Sequence, residues 1–218
     1  MKTDLNRRTH PPATQFALKN TLGFWELTFD GQFTVLPQNQ ALFYVAWLLT
    51  HRPTEAIHGY DLATKVCDRF CEHPDFRQGM AWIGQHRDDG QIAKALLNRQ
   101  KMLEAILDSE YELDPVKTEA LQELVAVQKL QEACFAEIAN MAESTANIVW
   151  NGLLHLHKTL TSALDGHGNP HSVLRPFAHH LLVGILLPSI RASAHERTVR
   201  LIYQPPQDVT WECWDGAR

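Results

Sequence analysis

The amino-acid sequence predicts a mostly helical α+β protein: an N-terminal β-hairpin followed by helices, then a helical bundle, closed by a short C-terminal strand pair. Three observations carry this. Residues 24–36 alternate apolar and polar around an Asp-Gly pair, the pattern of a tight hairpin. Apolar residues then recur at three- and four-residue steps through most of residues 41–187, the period of helices buried along one face. Alternation returns only near the end, over residues 198–203 and 208–213, joined across Pro205-Pro206.

Residues 1–15 are polar and contain Pro11-Pro12, with no apolar stretch that would serve as a secretory leader. Residues 1–20 are expected to form a flexible tail. In the hairpin, Trp25, Leu27 and Phe29 lie on one side, Asp30-Gly31 makes the turn, and Phe33 and Val35 continue the apolar pattern. The run from Ala41 to Leu49 is apolar nearly all round, as suits a helix at the centre of a small domain. It ends near His51, ahead of Pro53, because the residue before a proline is driven out of helical geometry. A second helix over 59–71 places Leu62, Val66 and Phe70 on one face, with His73-Pro74 as its stop. The expected core of this part is Trp25, Leu27, Phe29, Leu42, Val45, Leu49, Leu62 and Val66.

A third helix over 91–110 carries Ile92, Leu96, Leu103, Ile106 and Leu107. Asp114-Pro115 then supplies an N-cap followed by proline at the first helical position, a strong start signal. The helix it opens places Leu124, Val127, Cys134, Ile138, Met141 and Ile148 along a stripe interrupted by Gln131 and Thr145. Such a stripe is either a seam within the bundle or a dimer seam. Helix continues through Leu160 to the break at Asp165-Gly-His-Gly-Asn-Pro170. A last apolar helix is expected from Pro176 to Leu187, closed by Pro188. The chain thus divides into a tail (1–20), a first module (21–110) and a helical bundle with the strand pair (111–218), one continuous domain being the alternative for the last two.

With 218 residues, 44% of them hydrophobic and 21% charged, the chain suits one folded domain or two small ones and excludes wholesale disorder. Twenty basic side chains against 25 acidic ones leave a formal charge of −5, which disfavours a surface built to coat phosphates. The longest apolar run, 41–49, is far below the ~20 residues of a membrane span. Cys67, Cys71, Cys134 and Cys213 are expected to stay reduced, in the cytoplasm. Charge is uneven: residues 102–145 hold ten acids against Lys117 and Lys129, whereas in 172–200 four arginines face only Glu196. The acidic run reads as a solvated helix face or as a charge-steered partner surface.

No motif spells out a reaction. Cys67, Cys71 and His73 fall within seven residues, but structural zinc wants four ligands, commonly two close pairs. His155 and His157, and His179 and His180, are spaced so that on a helix they point apart. His86-Arg-Asp88 lacks the other parts of a kinase site. Gly-x-Ser-x-Gly, phosphate-loop and His-Glu-x-x-His patterns do not occur. No catalytic residue, cofactor or metal is expected, although scattered residues can converge in space.

Trp25, Leu27, Asp30-Gly31, Val35-Leu36-Pro37, Ala41-Leu42, Leu48-Leu49, Pro53 and the run from Ile57 to Leu62 resemble the opening of the winged-helix output domain of bacterial response regulators. Within that class the segment looks more like a helix-turn-helix-related module of uncharacterised multidomain bacterial regulators. Asn147-Ile148-Val149, His180-Leu181, Tyr203-Gln-Pro205 and Trp211 are further counterparts, while residues 188–197 are additional. The resemblance implies a winged-helix-like module over 21–110 and a regulatory role. A DNA-reading winged helix needs a basic third helix, yet residues 61–110 hold seven bases against nine acids. The sequence therefore points to a non-catalytic regulatory or adaptor protein that binds another protein, with Leu124, Val127, Ile138 and Met141 as partner-binding candidates. A homodimer through the same stripe is a further expectation. The alternative is a dimeric DNA-binding transcriptional regulator using Arg99, Gln100 and Lys101.

Overall fold

The structure, a computed structural model, describes residues 15–21, 23–70, 87–109, 114–194, 198–205 and 209–213. It is α+β and mostly helical. Strands β1 (Phe16–Thr21), β2 (Phe24–Phe29) and β3 (Gln32–Pro37) form an antiparallel meander. Helix α1 (Gln40–His51), the short β4 (Ile57–His58) and helix α2 (Gly59–Phe70) follow. Next come α3 (Arg87–Asp108) and α4 (Asp114–Ser162). Helix α5 (Leu174–Leu181) runs through a π-helical turn, Leu182–Leu186, into α6 (Leu187–Ser193). Both C-terminal strands form, and each closes a different sheet: β5 (Arg200–Leu201) pairs with β4, and β6 (Glu212–Cys213) lies parallel to β1 in the order β3-β2-β1-β6.

Residues 16–20 are not tail. They form β1, which is hydrogen-bonded on both sides, with Leu18 fully buried and Asn20 donating to Gln38 Oε1 at 3.2 Å. The hairpin turn has positive φ at Asp30 (51°) and Gly31 (72°), as a two-residue turn matched to strand twist requires. Its register corrects the face assigned to β3. Leu27 stands opposite Thr34 and Trp25 opposite Leu36, and residues directly opposite share a face. The inward residues of β3 are therefore Thr34 and Leu36, while Phe33 and Val35 point outward, 60% and 49% exposed.

Helix α1 starts where the Asn39 side chain accepts from the Ala41 N–H at 2.9 Å and stops where Arg52 turns left-handed (φ 40°). Its Leu42, Val45 and Leu49 are buried with Leu62 and Val66 of α2. Phe29, also expected in the core, is half-buried and packs against it. The ring of Trp25 meets Phe43 edge-on at 4.9 Å, and Phe43 meets Phe70 at 5.0 Å. At Gly59 a Cβ would lie 2.7 Å from the Ala146 Cα, so α2 and α4 approach closely only because this position has no side chain.

One core cluster runs from Leu18 to Trp211 and includes Val149, Leu153, Leu156 and Leu160 from the second half of α4. Residues 21–110 and 111–218 thus share a core. A boundary at 110 falls between α3 and α4, which pack on each other through a separate small cluster of Leu103, Ala120 and Val127. Helix α4 has 49 residues, about 73 Å at 1.5 Å per residue. Its second half is core, and its first half joins α3 in a two-helix arm.

Pro188 does not end the last helix, which begins at Leu174 and continues to Ser193. A proline normally strands the carbonyl four residues back and collides with it. Here that carbonyl belongs to Gly184, inside the π-helical turn, and it accepts from the Gln204 N–H at 2.7 Å. No helix among the described residues is long and apolar enough to cross a membrane.

Candidate functional site

The arm stands on a small hydrophobic cluster of its own, apart from the main core. Helices α3 and α4 run antiparallel, and a bidentate ion pair fixes their alignment: the Arg99 Nε and Nη2 each donate to a different oxygen of Glu123 at 2.7 Å. These hydrogen bonds raise the guanidinium pKa and hold the Glu123 carboxyl below the usual carboxylate range. In the seam, Leu103, Ala120 and Val127 are buried, and Leu96, Ile106, Leu107 and Leu124 pack around them. Two helices cannot close around one seam, so apolar side chains remain on both flanks. Leu97, Leu121, Val125 and Phe135, outside the seam, are exposed.

Where α3 begins, the two helices frame a groove of about 330 Å³ lined by Ile92, Leu96, Leu130, Cys134 and Ile138, with Glu137 also in its wall. Ile92 is 52% and Leu130 59% exposed. Contiguous apolar surface of this kind marks interaction sites far more often than scattered single residues do.

Of the partner-binding candidates, Ile138 lines this groove and Met141 is half-buried one turn further along α4. Val127 is buried and Leu124 half-buried in the α3–α4 seam, so those two hold the arm together. Sequence reasoning missed Leu130, although it stands three residues after Val127 and four before Cys134, and placed Ile92 on the inward face of α3. Gln131, which interrupts the stripe, is buried with its Nε2 lacking a hydrogen-bond partner. Thr145 is buried too, its hydroxyl donating to the Met141 carbonyl at 2.8 Å. An unpaired buried amide costs about 1–3 kcal/mol. Gln131→Leu is therefore expected to raise stability by about 1–2 kcal/mol, read in urea denaturation; a loss of stability would show that the amide is needed.

The nucleic-acid candidates are engaged otherwise: Arg99 is paired with Glu123, and Gln100 donates to Glu104 Oε1 at 2.7 Å, while Lys101 is exposed beside them. Cys67 is half-buried; Cys71, His73 and His86 lie outside the described residues. Among the described residues no group of three or more His, Cys, Asp or Glu is placed to hold a metal ion. His179 is exposed and His180 buried. His180 Nε2 lies 2.9 Å from the Tyr203 hydroxyl, which accepts from the Trp211 indole N–H at 3.0 Å. This polar chain sits among Phe29, Phe177 and Trp211.

No family model, curated protein or solved structure matches the chain.

Proposed function

We propose that the chain is a non-catalytic regulatory or adaptor protein that acts by binding another protein, and that the α3–α4 arm is the surface it uses. The exposed apolar groove between Ile92 and Ile138 carries this reading. An arm standing on its own small seam cluster, with apolar side chains on both flanks, is a liability unless something covers it. The order of hairpin, α1, β4 and α2 supports reading the N-terminal part as a winged-helix-like module. The alternative of a dimeric DNA-binding regulator has less support, since Arg99 and Gln100 are bonded within the arm.

Affinity capture from the source cell by the native chain and by Leu130→Asp tests this. At least one protein held by the native chain should be lost with the variant, because a charge buried without a partner is strongly unfavourable at an interface. Capture of nucleic acid in place of protein, or the same proteins with both baits, would overturn the reading.

A further inference from the structure

We infer that the groove at the start of α3 takes a cationic amphipathic helix from its partner protein, an inference that rests on reading the arm as a docking surface. The groove lies between two antiparallel helices, and its floor is aliphatic. A third helix laid along it, with apolar residues at i, i+3, i+4 and i+7, completes the seam that two helices leave open. A small polar ligand fits poorly, because such sites need several convergent polar groups, and among the described residues of this wall only Glu137 is charged.

Charge selects the occupant. Glu119, Glu123, Leu130, Cys134 and Glu137 follow one another at steps of three, four or seven residues, so they form one row along α4. Arg99 neutralises Glu123, which leaves Glu119 and Glu137 as uncompensated acids along a row that contains no base. Lysines or arginines flanking the apolar stripe of an incoming helix would meet them. A second copy docked groove to groove would bring two acidic rows of the same sign together, and like charges brought together at an interface disfavour the complex. The first 14 residues of the chain itself carry Lys2, Arg7 and Arg8, but Met1, Leu5 and Ala13 are too few and too scattered to fill the groove.

The test uses the full chain and two designed 21-residue helices with one leucine stripe in common, one flanked by lysine and the other by glutamate. The lysine helix should bind at least about tenfold more tightly at low salt, with the gap narrowing as salt rises. Its binding should slow alkylation of Cys134, a half-buried thiol in the groove wall, read by mass spectrometry. Glu119→Lys with Glu137→Lys should reverse the preference, and Leu130→Asp should abolish binding of both helices. Equal binding of the two helices, or preference for the glutamate one, would overturn the cationic assignment and leave the arm as a docking surface. Failure of both to bind, with Cys134 alkylation unchanged, would overturn both readings. A native dimer that Leu130→Asp dissociates would make a second copy the occupant and overturn the inference.

Discussion

Leu49→Ala is expected to lower the unfolding free energy by about 2–5 kcal/mol, the range for a buried leucine truncated into a cavity. Leu49 is 1% exposed near the end of α1 and belongs to the cluster shared by the sheet, α2 and the second half of α4. Elements on several sides hold the cavity open, so little collapse can offset the loss. Leu154→Ala is the control, because Leu154 lies on α4 but is 40% exposed. Urea denaturation of the two variants beside the native chain checks this. A cost for Leu49→Ala well under about 1 kcal/mol would contradict its place in the core.

Tyr203→Phe should cost a comparable amount, about 2–4 kcal/mol, because it strands two buried groups at once. The Trp211 indole N–H can only donate, so the Tyr203 oxygen accepts from it and passes its own proton toward His180 Nε2. Burial pushes the Tyr203 hydroxyl up to about 12, keeping its proton in place. His180 is therefore a neutral acceptor. Burial, and to a smaller extent the charge of His179, lowers its pKa to about 4 from the ordinary 6.5.

Between these two values the unfolded chain binds more protons than the folded one, so stability rises with pH. The contribution of His180 is fully present above about 6.5 and is lost as pH falls toward about 4. Denaturation midpoints at pH 5 and pH 7 should differ in the native chain, and His180→Leu should flatten the difference. An unchanged slope in that variant would place the titration elsewhere. Combining His180→Leu with Tyr203→Phe should cost less than the sum of the two, since the second change no longer strands the imidazole.

Helices α1 to α4 are legible in the sequence because α1 is a near-continuous apolar run that ends ahead of Pro53, α2 and α3 each carry a periodic apolar face, and Asp114-Pro115 opens α4. Strand β1 was not. Its Phe16, Leu18 and Asn20 alternate, but Lys19 and Asn20 give it a polar cast beside the proline pair upstream, and its burial depends on the partner strand β6 nearly 200 residues later. The face of β3 was misread for a geometric reason. A two-residue turn pairs odd positions of β2 with even positions of β3, whereas the apolar count alone favoured Phe33 and Val35. The docking groove was half legible. Ile138 belongs to the stripe that the sequence displays, and Leu130 also keeps its spacing, three residues after Val127 and four before Cys134. That spacing alone does not tell that Val127 is buried in the seam while Leu130 stays exposed beside α3.

Pro188 reads as a stop in the sequence because a regular helix cannot contain it without loss. The turn at Leu182–Leu186 removes the conflict by spacing the backbone one residue wider than an α-helix. It also sets a phase. Each helical residue turns the chain by about 100°, so the wide turn fixes the direction in which α6 presents Ser189 and Ser193. Those hydroxyls accept from the Ile202 and Arg200 N–H groups at 3.1 and 2.9 Å, and the vacated Gly184 carbonyl takes the Gln204 N–H. Removing one residue here would narrow this turn to an α-helical one and swing both serines about a quarter-turn away from the returning chain. The irregularity thus works as an angular adjustment between two halves of one rod, and the length of this segment is constrained by the strand it steers as much as by its own packing.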